Sequence, residues 1–150
     1  MFATSVDYNP KTDYAQQFFR IVQNKFHYAI TGMTAAEIIA DRVDSAKENM
    51  GLTNWKGEII TREQAEIAKN YLEELELKRL SLLVEQFLSF AELQSVEQRV
   101  MYMKNWVEKL DGILISNDKL VLTDAGSVSH KEMEIKVRQE LDSFNQKTIK

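Results

Sequence analysis

Gln16, Arg20, Gln23 and His27 recur at steps of four, three and four residues, with Asn24 beside them, the spacing that stacks side chains on one face of a helix. Only His27 in this row can exchange a proton near neutral pH, because an unperturbed imidazole titrates at about 6.5. The row lies opposite an apolar stripe, so it reads first as a solvated helix face, next as structural hydrogen bonding by His27, and last as chemistry. Catalysis would need His27 to converge with Asp7, Glu37 or Asn49 on one cleft. Asp7 and Tyr8 stand in an arm ahead of Asn9-Pro10. There Asp7 is placed to act as a base or cation ligand, but a lone carboxylate before a turn more commonly caps nearby backbone N–H groups.

A second group, Asn49, Gly51, Asn54, Trp55, Lys56 and Gly57, combines amides, flexible backbone, an aromatic ring and a cation. Such a set can stack a base and contact a phosphate. Its order lacks the GxxxxGK[ST] of a phosphate-binding loop. The competing reading makes Trp55 an anchor that holds its loop on the core. The nucleic-acid reading rests on Arg20, Lys25, Trp55 and Lys56. Glu73, Glu74 and Glu76 precede Lys78 and Arg79; Glu74 and Lys78 stand four apart in the favourable orientation, which describes an ion-paired solvated face. With no Cys, two His (His27 and His130) and no HExxH or Glu-x-x-His pattern, neither a metal nor a cofactor is expected.

Composition narrows the classes further. The chain has 150 residues, 44% of them hydrophobic, enough for one domain with a real core. Lys plus Arg number 19 against 23 Asp plus Glu, a net charge of -4, which is not the footprint of a general nucleic-acid binder. No uncharged run is long enough to span a bilayer. The start lacks the basic lead and apolar run of a signal peptide, so the expected location is the cytoplasm.

These residues must be positioned by helices. Apolar residues from Tyr14 to Ile30 follow a helical period, capped by Thr12 or Asp13 and stopped at Thr31-Gly32. Thr34 and Glu37 form a capping box for a short helix over about residues 35–45. Residues 46–60 read as an irregular connection pinned by Met50, Leu52, Trp55, Ile59 and Ile60. Thr61 and Gln64 repeat the box and open a long helix through about residue 94. Between Leu80 and Leu93 its apolar residues surround the cylinder, which predicts an enclosed central rod. A break near 95–100 leads to a helix over about 103–115 with Trp106, Val107, Leu110 and Leu114 inward. Leu120-Val121-Leu122 is an apolar run suited to extended chain. Ser129 and Glu132 cap a last helix with the narrow seam Met133, Val137, Leu141 and Phe144.

Several segments resemble one known family. "DYNP" at 7–10, "FFRIVQNKFHYAITGMTAAEIIADR" at 18–42, "NMGLTNWKG" at 49–57, "AKNYL" at 68–72 and "MKNWVEKLD" at 103–111 are similar to the carboxy-terminal half of the virulence-associated RhuM family. That resemblance implies a two-part protein in which a preceding region, described as DNA-binding, is followed by this helical part. It implies no catalytic residues. The family's signature positions fall here on Asp7, Tyr8, Gln23, Asn24, His27, Thr34, Glu37, Asn49, Gly51, Trp55 and Lys56, with Asn9 where the family often has a second Asp. The expectation is an all-α, single-domain bundle of about five helices around a long central apolar helix. It would serve as a non-enzymatic accessory domain whose partner is a second copy or another protein. Nucleic acid is the alternative partner, for the full-length protein, and a membrane is not one.

Overall fold

A computed structural model describes Asn9 and residues 13–149, the side chains of Tyr14 and of 147–149 excepted. Asp7 and Tyr8, the turn at Pro10 and a cap at Thr12 lie outside the described residues. The fold is all-α, with no strand among the described residues: α1 (Asp13–Thr31), α2 (Ala35–Arg42), α3 (Arg62–Ala65), α4 (Glu74–Val96), α5 (Met103–Ser116) and α6 (His130–Ile149). Single 3-10 turns occupy Glu48–Gly51 and Ala68–Tyr71. The chain divides into two compact units, Met1–Gly32 with Lys78–Thr123, and Met33–Leu77 with Asp124–Lys150.

In the first unit α4 is the central element. Its Leu83 and Phe87 pack with Ala15 and Phe26 of α1 and with Met103, Trp106, Leu110 and Leu114 of α5. The rings interlock edge to face: Phe87 and Phe90 stand 6.2 and 6.1 Å from Trp106 at steep angles, and Phe26 stands 5.9 Å from Phe87, geometries that aromatic quadrupoles favour. Truncating Phe87 to Ala should cost about 3–5 kcal/mol. The apolar girdle expected around residues 80–93 is enclosed on this face alone. Leu82, Leu88 and Leu93 stay about half exposed.

Both helices that frame this core end in the same way. Gln98 N–H donates to Ser95 O and Arg99 N–H to Gln94 O, while Asp118 N–H donates to Ile115 O and Lys119 N–H to Leu114 O. These paired bonds form a Schellman ending, and Gln98 and Asp118 adopt the positive φ it requires, 54° and 59°. The run 120–122 forms no strand, and Leu122 is held by its carbonyl, as described below.

In the second unit α2 packs on α6 and on the Ala68–Tyr71 turn. Ile38, Ile39, Val43, Met50, Leu52, Tyr71, Leu72, Met133 and Val137 are buried. The capping boxes predicted at Thr34–Glu37 and Ser129–Glu132 both form. Helix α2 stops at Arg42, short of the predicted end, because Val43 leaves the helical region and Asp44 N–H turns to Met50 O. The connection it enters runs through three left-handed residues, Asn49, Met50 and Gly51. Gly51 is required there, since a Cβ would lie 2.2 Å from Arg42 O. Met50 and Leu52 pin the connection as expected; Ile59, three-quarters exposed, does not.

The long helix predicted from Thr61 onward is interrupted. Tyr71 Oη donates to Ala65 O at 2.6 Å and Asn70 Nδ2 to Gln64 O at 2.9 Å. Thr53 Oγ1 donates to Asn70 O and Leu72 O at 3.0 and 2.6 Å. Side chains thereby take the carbonyls that a continuous helix would use, and α4 starts afresh at Glu74. Arg42 anchors that start with a two-pronged pair to Glu76, 2.6 and 2.8 Å, and a bond to Tyr71 O.

Candidate functional site

The polar row on α1 separates into two parts. Gln16, Arg20 and Gln23 are exposed and Asn24 is half-buried, in keeping with a solvated face. His27 is only 4% exposed, and its Nδ1 has no hydrogen-bond partner among the described residues. Burial lowers its pKa from 6.5 to about 4, because a charged imidazole would lose its hydration. At neutral pH His27 is therefore an uncharged internal ring and not a member of the solvent-facing row. Helical period alone does not reveal this.

Lys25 also departs from its predicted place. It is 8% exposed, and its Nζ donates to Leu122 O at 3.0 Å and lies 2.8 Å from Asp111 Oδ1. The second contact is an ion pair outside hydrogen-bond geometry. A cation committed in this way ties α1, α5 and the 120–122 run together and has no charge to offer a phosphate. This removes one of the four residues on which nucleic-acid contact was expected to rest. Sequence reading passed over Asp111, although it ends the "MKNWVEKLD" segment.

In the second unit Glu37 is fully engaged. Its Oε1 accepts from Thr34 N–H at 2.8 Å, and its Oε2 accepts from Ser127 Oγ and N–H at 2.6 and 3.1 Å. Hydrogen bonds from Ser127, then Thr34, hold its pKa at about 2, below the ordinary 4.5. It is thus a permanent anion that caps α2 and fastens the loop before α6, which makes it a poor base. Ser127 has no local sequence signal, because its bond spans from the far end of the chain.

Asn49 is half-buried at φ 54°, and its carbonyl accepts from Leu52 N–H. Its role is to turn the backbone. Trp55 is half-buried and, with Thr53, Asn54, Gly57 and Glu58, lines a shallow depression. Lys56 is exposed, and its N–H donates to Gln64 Oε1 at 2.9 Å. Lys56 follows Trp55 in the chain but does not line this depression, and the charged residue that does is Glu58, which disfavours a phosphate. Within each unit, then, Lys25, Glu37 and Asn49 are occupied structurally, while Arg20, Gln23 and Lys56 remain on the surface. Among the described residues no group of three His, Cys, Asp or Glu is placed to hold a metal ion, and no helix is long and apolar enough to cross a membrane.

Compared with known proteins, the chain matches the family described as "Virulence protein RhuM family" over residues 1–150. No curated protein and no solved structure matches it.

Proposed function

The chain belongs to the Virulence protein RhuM family, and from that premise we propose that it is an accessory, non-catalytic domain through which a larger, two-part cytoplasmic protein associates with a second copy of itself. On this reading residues 1–150 are the helical second part of that protein, and DNA contact falls to the part that precedes it. The observation that carries the reading is the outer face of α4. Leu82, Gln86, Ser89, Leu93 and Val96 follow alternating steps of four and three, the spacing of a helix–helix seam. Leu82 and Leu93 are 50% and 51% exposed and Val96 73%, on the side of α4 away from Leu83 and Phe87. A soluble chain gains by covering such a stripe, at about 25 cal/mol per Å² of apolar area removed from water. Ser89 within the seam supplies a polar position of the kind that fixes register between paired helices, while Gln86 is held within the chain by a reciprocal pair of bonds with Asn117, 3.1 and 2.9 Å.

Sedimentation equilibrium across the micromolar range tests the proposal. The unaltered chain should self-associate, and Leu82→Glu with Leu93→Glu should return a monomer of unchanged helix content. A unaltered chain that stays monomeric, or a double variant that associates as before, refutes it. Glu37, Lys56 and the Trp55 loop lie outside the seam, so their substitution should leave association unchanged.

A further inference from the structure

The end of α4 and the start of α5 enclose a cleft of about 260 Å³, lined by Ala91, Gln94, Ser95, Arg99, Met101 and Trp106 among others. Gln94 is the anomaly in it: a side chain 5% exposed, on the buried face of a helix whose neighbouring buried positions are Leu83 and Phe87. Arg99 Nη1 lies 3.4 Å from Gln94 Oε1. A guanidinium only donates, so the amide oxygen faces Arg99 and the amide nitrogen is turned the other way. Among the described residues that nitrogen has no hydrogen-bond partner, in a side chain that lines the cleft. That nitrogen is not among the side-chain atoms sealed from solvent without a partner, so it is reached from the cleft, where a donor with no protein acceptor is suited to an acceptor that comes from outside.

The backbone brings a second donor to the same place. The Schellman ending reverses the chain at Gln98 and returns Arg99 over Gln94, with Arg99 N–H bonded to Gln94 O. The helix carbonyls that would repel an anion there are already taken, Leu93 O by Glu97 N–H, Gln94 O by Arg99 N–H and Ser95 O by Gln98 N–H. The amino-terminal end of α5, the positive end of its dipole, borders the cleft beside Met101 and Trp106. Glu97 Oε2, 2.9 Å from Arg99 Nη2, holds the guanidinium at the rim. Ala91, Met101 and Trp106 form an apolar part of the wall, and Ser95 and Gln98 add further polar lining.

The geometry points to a binding site for a small carboxylate with an apolar body. The carboxylate accepts from Gln94 Nε2 and from Arg99, and the body packs against Trp106, Met101 and Ala91. The cleft is just below the roughly 300–1,000 Å³ of ordinary drug-sized sites, which limits the ligand to a compact molecule. In this arrangement Glu97 competes with the ligand for Arg99.

Nitrogen–proton correlation spectra of the full chain provide the test, read at the Gln94 side-chain amide and the Trp106 indole N–H. The probes are 3-phenylpropanoate and its uncharged isostere 3-phenylpropanamide. The carboxylate should shift both signals saturably, and the amide should bind at least about tenfold more weakly, the ratio a charge-assisted hydrogen bond sustains. Arg99 is exposed, so Arg99→Gln should leave the thermal midpoint unchanged while removing the preference for the carboxylate. Glu97→Gln, which releases Arg99, should tighten carboxylate binding. No saturable shift, equal binding of the two probes, or an unchanged preference in Arg99→Gln overturns the inference.

Discussion

Lowering the pH from about 7.5 to about 5 should destabilise this protein through a single ring. His27 has a folded pKa of about 4 against an ordinary value of 6.5. Between those values the unfolded chain takes up a proton that the folded chain refuses, so stability falls as pH falls. Above 6.5 both states carry the neutral ring and the penalty is absent. The gap between 6.5 and about 4, at about 1.4 kcal/mol per pH unit, corresponds to about 3 kcal/mol over the whole window. Roughly 2 kcal/mol of this is lost by about pH 5. Glu37, whose pKa is lowered from 4.5 to about 2, contributes stability that disappears only as pH falls below 4.5, so the interval from 5 to 6.5 isolates His27. Urea unfolding followed by far-ultraviolet circular dichroism at several pH values reads the effect as a midpoint that moves at constant slope. In His27→Phe, a non-titrating ring of similar shape, the same interval should be flat to within about 0.5 kcal/mol. The exposed His130 beside Glu134 is removed from question by repeating the titration in His130→Gln. A wild-type profile that is level from 7.5 to 5, or a His27→Phe profile that keeps the wild-type fall, refutes the assignment.

Two further substitutions test the second unit's tight turn and the first unit's internal ion pair. Gly51→Ala places a Cβ 2.2 Å from Arg42 O at a φ of +90°, so thermal unfolding should show a loss of about 2 kcal/mol or more. Lys25→Met leaves Leu122 O and Asp111 without their cation and should cost about 2–4 kcal/mol in denaturant titration. Adding Asp111→Leu should restore part of that loss, and a strictly additive pair would show that the two charges do not act together.

The helices and their caps were legible because the signals are local. Thr34 and Glu37, or Ser129 and Glu132, sit three residues apart and bond to each other whatever the rest of the chain does. Gly32, at φ 77°, ended α1 where its lack of a side chain indicated. The predicted continuous helix from Thr61 failed because Thr53, Asn70 and Tyr71 act across loops, and a helical period carries no trace of a hydroxyl approaching from seventeen residues away. The same limit applies to function. Lys25 meets Leu122 and Glu37 meets Ser127, 97 and 90 residues away, so the fates of these charged groups are set by tertiary partners. Polar residues on a helix look alike in sequence whether they end in water or inside.

At Leu93 and Gln94 the sequence pattern and the structure stand in direct opposition. The leucine is 51% exposed and its polar neighbour 5% exposed, the reverse of what a helix serving only its own core would carry. Exposing a large aliphatic side chain forgoes up to about 1.5–3 kcal/mol, and the Gln94 amide nitrogen, on a side chain that lines the cleft, has no protein acceptor among the described residues. A chain bears both on adjacent residues when each is answered from outside, and the two answers differ in kind. Leu93 needs apolar surface, which a second copy of the same stripe supplies through Leu82 and Val96. Gln94 needs an acceptor, which apolar surface cannot supply and a small carboxylate can. Because the two side chains point to different faces of α4, the proposals separate cleanly. Leu93→Glu should abolish association and leave 3-phenylpropanoate binding intact, while Arg99→Gln should do the opposite. If either substitution abolished both, the two faces would have to be parts of one site, and the independence argued for them would be lost.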